Sequence, residues 1–169
     1  MSFIKDILLI DFEGLVDPVQ IGAILLDKNS LEEKDYFVSY VYADMQGKTS
    51  KKSGISQETL CGAPSQAEVG KIIFEKFGTN ILLGSWVDTL DIDHFRKIIK
   101  AVGISWKQYD YHVLDIWPVA YIHLLKLGYA GEVDSESIFQ AFGMKVRGLH
   151  NALEDCRIAA DILRKIYLN

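Results

Sequence analysis

Leu8–Leu15 reads LLIDFEGL, an aliphatic run that ends in two carboxylates, Asp11 and Glu13, with one aromatic between them. Residues two apart on a β-strand project to the same face, so a strand here sets both acids side by side. Two such groups beside apolar surface repel, and one would take up a proton. A divalent cation removes that penalty and keeps both ionised. The competing reading is that Glu13 has already left the strand and is solvated beyond its end.

The surrounding chain of 169 residues is expected to form one domain over 1–169, because no repeat or Pro-rich or Ser-rich linker divides it. Its 49% hydrophobic and 24% charged residues are those of an ordinary globular protein. The net charge of −5 argues against coating long nucleic acid with the whole surface, so a polyanionic substrate would need metal help. Cys61 and Cys156 fit neither a disulfide framework nor a C-x-x-C site and read as reduced packing residues in a cytoplasmic protein. No apolar run approaches the ~18 residues of a membrane span, and no targeting segment is read.

Ile7 to Phe12 and Val19 to Leu26 read as buried strands, the second reached through the Asp17-Pro18 turn, and Asp35 to Tyr42 as a third. Ser65 starts a helix that carries Val69, Ile72, Ile73 and Phe77 at helical spacing and ends near Gly78. Ile81 to Val87 is a fourth strand. Phe95, Ile98, Ile99 and Val102 mark a second helix closed by Gly103, and Tyr109 to Ile116 a fifth strand. Helices follow at about Pro118 to Leu127, Ser135 to Phe142 and Asn151 to Tyr167. This order predicts an α/β fold, a five-stranded mixed sheet flanked by helices.

Further acids join the first pair. On the last helix Ala152, Cys156, Ala159, Ala160 and Leu163 form the apolar stripe, while Glu154, Arg157, Asp161, Arg164 and Lys165 form the solvent face. Asp155 belongs to neither: it lies about 60° from Ala152, on the border of the stripe. A carboxylate turned toward the core needs a partner. His150, five residues earlier, can converge on it only from a position at or before the helix start, and Gly148 allows a bend there. An imidazole with an ordinary pKa suits a general base, though a histidine at a helix start can be purely structural.

The segment WVDTLDIDHF supplies a fourth carboxylate. Asp91 continues the inward series 91, 95, 98, 99, 102, while Asp93 shares the outer face with Lys97. Asp91 is therefore chosen, with Asp88 as the alternative, since Asp88 or Thr89 could also cap the helix.

DFE at Asp11 to Glu13, Asp91 after the fourth strand, and HNALED at His150 to Asp155 together resemble the DEDDh family of 3′-to-5′ exonucleases, the DnaQ-like group within the ribonuclease H-like fold. VQIGAILLD at Val19 to Asp27, SGISQETLCGAPSQAEV at Ser53 to Val69, HVLDIW, and FGMKVRGLHNALEDCRIAADIL extend the resemblance over nearly the whole chain. Two departures stand out: EGLVDP makes a short turn after the acidic pair, and Trp86-Val87 occupies the place where many members carry His-Asn.

The resemblance implies that Asp11, Glu13, Asp91 and Asp155 hold two divalent cations, Mg²⁺ or Mn²⁺, that His150 deprotonates the attacking water, and that nucleoside 5′-monophosphates leave single-stranded 3′ ends of DNA or RNA. It also implies that the main chain from Phe12 through Gly14 to Leu15 meets the terminal nucleotide, although Leu15 could equally be core. Family members include dimers, so a homodimer is noted. The alternative is a catalytically silent module that binds nucleic acid or protein through the same fold; a hydrolase of small phosphoesters is a third reading.

Several residues are read as structural. Lys145 and Arg147 could steady a phosphate but read as a solvated loop, and Tyr40, Tyr42, Tyr109 and Tyr111 as sheet packing rather than base stacking. His94, His112 and His123 lack an acidic partner at ligand spacing. Asp115 reads as a helix cap.

Overall fold

The computed structural model describes residues 2–46, 49–145 and 148–168. Strand β1 (Ile7–Glu13) alternates its apolar side chains, Ile7 and Leu9 toward one face, Leu8, Ile10 and Phe12 toward the other, and both sets are buried. That explains why its sequence is nearly continuous in apolar residues. β2 (Gln20–Leu26) and β3 (Glu33–Tyr40) follow as an antiparallel meander, while β4 (Leu82–Ser85) and β5 (Val113–Asp115) add in parallel on the other side, in the order β3-β2-β1-β4-β5.

Among the described residues, five α-helices cover this sheet. α1 (Gln66–Phe77), fixed by a capping box between Ser65 and Glu68, and α2 (Asp88–Ala101) pack on the face of Leu8, Ile10 and Phe12. α3 (Ile116–Lys126), α4 (Ser135–Ala141) and α5 (Ala152–Tyr167) cover the opposite face, where Ile7, Leu9 and Ile24 lie. Asp11 and Glu13 share that second face, so both acids point toward the helix that carries Asp155.

Some expected boundaries move for identifiable reasons. β5 begins at Val113 rather than Tyr109, because Ser105 caps a short 3₁₀ turn at Trp106–Gln108 and Asp110 then accepts the His112 N–H, holding the chain in turns. Tyr109 is therefore not a strand residue; it is buried against Phe95 and Trp106. Tyr111 is exposed on the same loop, and Tyr40 and Tyr42 are half exposed, so these three do not pack as expected. β3 lies two residues earlier than read, since Val41 and Tyr42 turn away to bond the carbonyls of Val19 and Pro64. α2 starts at Asp88, and its cap is Val87, which makes no side-chain bond. Asp93 pairs with Arg96, while Lys97 pairs with Asp17. Asp115 does cap α3 by position, but its side chain makes no capping bond. Cys156 is buried as read; Cys61 is exposed in the turn after Leu60.

One close approach fixes the register of the whole α5 face. Gly22 lies directly under the first turn of α5, where an added Cβ would stand 2.3 Å from the Ala152 carbonyl carbon and 2.4 Å from the Leu153 nitrogen. Backbone cannot yield as a flexible side chain can. Gly22→Ala is therefore expected to destabilise the fold by about 3 kcal/mol or more, read as the shift of a urea unfolding curve; a loss below roughly 1 kcal/mol would show that α5 is not seated this tightly.

Candidate active site

β1 and β4 run parallel, and the crevice beyond the carboxyl ends of neighbouring parallel strands is where sheets of this kind open to ligands. A cavity of about 960 Å³ lies there, and Asp11, Glu13, Asp91, His150 and Asp155 all line it. Three elements deliver them. β1 brings the first pair, the first turn of α2 brings Asp91, and the segment leading into α5, with that helix's first turn, brings the last two.

Each placement has a local cause. The ladder between β1 and β4 extends only to Leu9 and Gly84, and further along β1 the Asp91 Oδ1 accepts the Phe12 N–H at 3.1 Å. Asn151 caps α5 by accepting from the Leu153 and Glu154 N–H groups, so helical geometry begins only after it. His150 thus sits outside the helix, following a bend at Gly148 and Leu149, and its N–H donates to the Lys52 carbonyl at 3.0 Å. Gln20, opposite Glu13 in the ladder, accepts the Ala152 N–H at 3.1 Å and ties the start of α5 to the sheet.

The outcome is a tight cluster. Ligand atoms of Glu13, His150 and Asp155 lie within 4.8 Å of one another, with the imidazole Nδ1 3.7 Å from Glu13 Oε1 and 3.7 Å from Asp155 Oδ2. Those separations are too long for hydrogen bonds. The Glu13 and Asp155 side chains are 9% and 7% exposed, whereas the His150 side chain keeps 28%, so the ring is the most open of the three. Glu13 has not left the strand, as the competing reading required.

Electrostatics separate Asp91 from its alternative. Burial, reinforced by the charges of Glu13, Asp155 and Asp88, pushes the Asp91 carboxyl up to about 8, although the Phe12 N–H opposes this. Asp91 is buried and Asp88 only half-buried at the helix start, bonded by the Thr89 hydroxyl. The donor set is carboxylate oxygen plus one imidazole, which suits hard divalent ions. Cys156 is close by but offers no thiolate: burial raises its pKa well above the ordinary value, and its Sγ faces the Leu9 and Gly22 carbonyls.

The turn after Glu13 is built by Gly14, whose φ of +118° and close approach to the Asp17 carbonyl exclude a side chain. His94 holds this turn. Its Nε2 donates to the Gly14 carbonyl at 2.9 Å and its ring meets Phe12 edge-on, while burial keeps the imidazole pKa low and the ring neutral. Lys97 bonds the Val16 carbonyl in the same way. Leu15 is 88% exposed and lines the cavity, so it is not core. Phe12 and Gly14 line it too, but the Phe12 N–H and the Gly14 carbonyl are already committed, to Asp91 and His94.

Sequence reasoning missed the contacts of His94 and Gln20, whose signal was a polar residue inside an apolar face, and the presence of Lys51 and Lys52 in the cavity lining, for which there was none. His112 pairs with Asp110 and His123 stacks on Phe142, both away from the cavity. Lys145 is exposed and does not line it; Arg147 lies outside the described residues. Trp86 does line it, with its Nε1 bonded to Ser135 and its ring 4.6 Å from Phe139.

A profile for exonucleases of the RNase T group matches residues 12–163. The DNA polymerase III subunit epsilon of Aquifex aeolicus (strain VF5) is 25% identical over 150 residues, covering 88% of this chain and 70% of that protein. Among solved structures, the nuclease domain of 3′hExo, a DEDDh family member bound to rAMP, superposes with a TM-score of 0.72 at 20% identity over 97% of this chain and 92% of that one. The zinc-bound E. coli ExoI–ssDNA complex gives 0.76 at 16% identity over 98% of this chain, but only 41% of that one. A 3′-exonuclease in a structure of histone mRNA stem-loop recognition gives 0.72 at 20% identity, with this chain spanning 64% of its length. These neighbours share the ribonuclease H-like exonuclease fold, and the profile match over nearly the whole chain settles its kinship: it belongs to the exonuclease family.

Proposed function

We propose that this protein is, as a single domain, a metal-dependent 3′-to-5′ exonuclease that removes nucleoside 5′-monophosphates from single-stranded 3′ ends of DNA or RNA. The observation that carries this reading is the convergence of Glu13, His150 and Asp155 within 4.8 Å, in one cavity with Asp11 and Asp91. Relatives lend support: ExoI is described with single-stranded DNA and 3′hExo with rAMP. A silent module would have no use for acids held at this electrostatic cost.

In this proposal Asp11, Glu13, Asp91 and Asp155 hold two divalent cations, Mg²⁺ or Mn²⁺. Such ions, when bound, stabilise charge on the attacking and leaving oxygens of an in-line displacement. His150, anchored through its main chain to Lys52 and partly open to solvent, accepts the proton of the attacking water. Leu15 and the turn held by His94 set the terminal nucleotide against the carboxylates. All five proposed catalytic side chains come from one chain, so no second copy is needed to complete the site. Two free thiols, one of them exposed, agree with a cytoplasmic setting.

The test offers 5′-labelled single-stranded DNA and RNA with Mg²⁺, Mn²⁺ or EDTA. Stepwise mononucleotide loss that needs metal is expected, with a drop of about 10³-fold in Asp11→Asn and 10²- to 10⁴-fold in His150→Ala. Asp91→Asn should abolish turnover while Asp88→Asn stays within a few-fold of the parent. Binding without degradation would favour the module reading instead.

The raised pKa of Asp91 has a thermodynamic consequence. Its folded value of about 8 exceeds the ordinary 3.8, so the folded state favours the protonated acid. Its contribution to stability is complete below about pH 4 and is lost as pH rises through 8. In EDTA the parent should lose thermal stability from pH 5 to 9 relative to Asp91→Asn, and Mn²⁺ should reverse that loss by binding the ionised site. Parallel melting curves for the two proteins across this range would contradict the assignment.

A further inference from the structure

The geometry points to a phosphate subsite formed by Lys51 and Lys52, which takes the backbone phosphates upstream of the bond being cut. This inference rests on the exonuclease reading of the cavity and extends it to the strand leading in.

Both lysines line the same cavity as the four carboxylates. They are exposed, and among the described residues neither side chain has an ion pair or hydrogen bond. Other cations nearby are committed: Lys97 to Asp17 and the Val16 carbonyl, Arg157 to Glu33 and Glu154. Among the described residues, Lys51 and Lys52 are thus the uncommitted lysine and arginine charges lining an acidic cavity, in a chain whose net charge is −5.

Their loop is held in place. The Ser50 N–H donates to the Ile55 carbonyl and the Gly54 N–H to the Ser50 carbonyl, both at 2.8 Å, and Thr49 bridges Ser56. The Lys52 carbonyl accepts the His150 N–H, so the lysine main chain is fastened directly to the proposed general base. The ammonium groups are exposed on a hydrogen-bonded loop. That combination suits point-charge contact with a phosphodiester and carries no base preference. Cations bound at the four carboxylates would serve the phosphate that reacts, and the next phosphates along the strand would still need positive charge. Lys51 and Lys52 supply it on the side where His150 stands.

The test compares the binding of a fluorescent single-stranded tetranucleotide and of a nucleoside 5′-monophosphate, the latter by competition. Ca²⁺ replaces Mg²⁺ to suppress turnover. In the double variant Lys51→Gln/Lys52→Gln the tetranucleotide is expected to bind about tenfold more weakly, with a salt dependence shallower by roughly 1 to 2 in log–log slope, while the mononucleotide changes less than twofold. Lys51→Arg/Lys52→Arg should restore tetranucleotide binding. Lys107→Gln/Lys126→Gln makes the same change in net charge outside the cavity and should leave binding at the parent level.

A tetranucleotide affinity within twofold of the parent would overturn the subsite, as would equal weakening of both ligands, an equal effect of the control pair, or a parent protein that fails to bind the tetranucleotide. A parent that binds, shows the lysine effect and yet never releases mononucleotides with Mg²⁺ or Mn²⁺ would overturn the exonuclease reading while leaving the subsite standing.

Discussion

Mutual repulsion among carboxylates withdrawn from water is the constraint on which this molecule turns. Asp91 is buried against Phe12, and the charges of Glu13, Asp155 and Asp88 all act to protonate it. Left to themselves, such groups would separate or neutralise. The fold prevents the first by fixing each acid from a different direction: β1 through its ladder with β2, α2 through the bond to the Phe12 N–H, and α5 through Gly22, Gln20 and the Asn151 cap. Divalent cations held as proposed would make the arrangement favourable in its ionised form.

Two apolar layers make this rigidity affordable. The face under α3, α4 and α5 and the face under α1 and α2 are each filled by buried aliphatic and aromatic side chains. β1 and β2 both belong to the two layers, so the strand that carries the acids is buried on both of its faces. Small residues finish the work along α5: Ala152, Cys156, Ala159 and Ala160 let the helix approach closely enough for Asp155 to reach the end of β1.

The site is polarised around this core. Its lining combines the acidic side chains with Lys51, Lys52 and the exposed Leu15 on the turn held by His94. His150 has main-chain support from the lysine loop and side-chain proximity to two acids. Trp86 forms part of the cavity wall, with its Nε1 bonded to Ser135 and its ring packed on Phe139.

Local chemistry made much of this legible in advance. The period-two pairing of Asp11 with Glu13, the off-stripe phase of Asp155, the inward phase of Asp91 and the position of His150 ahead of the helix all follow from strand and helix geometry, and those side chains do share one cavity. Turns were harder to read, because a single Asx-type bond at Asp110 or a departure of Val41 toward Val19 decides where a strand stops. What only the tertiary structure decided are contacts between segments far apart in the chain: His94 under Gly14, Gln20 on Ala152, the lysine loop on His150, and the raised pKa of Asp91. Periodicity records which face a residue occupies. It carries no trace of a neighbour eighty or a hundred residues away, nor of the desolvation that neighbour brings.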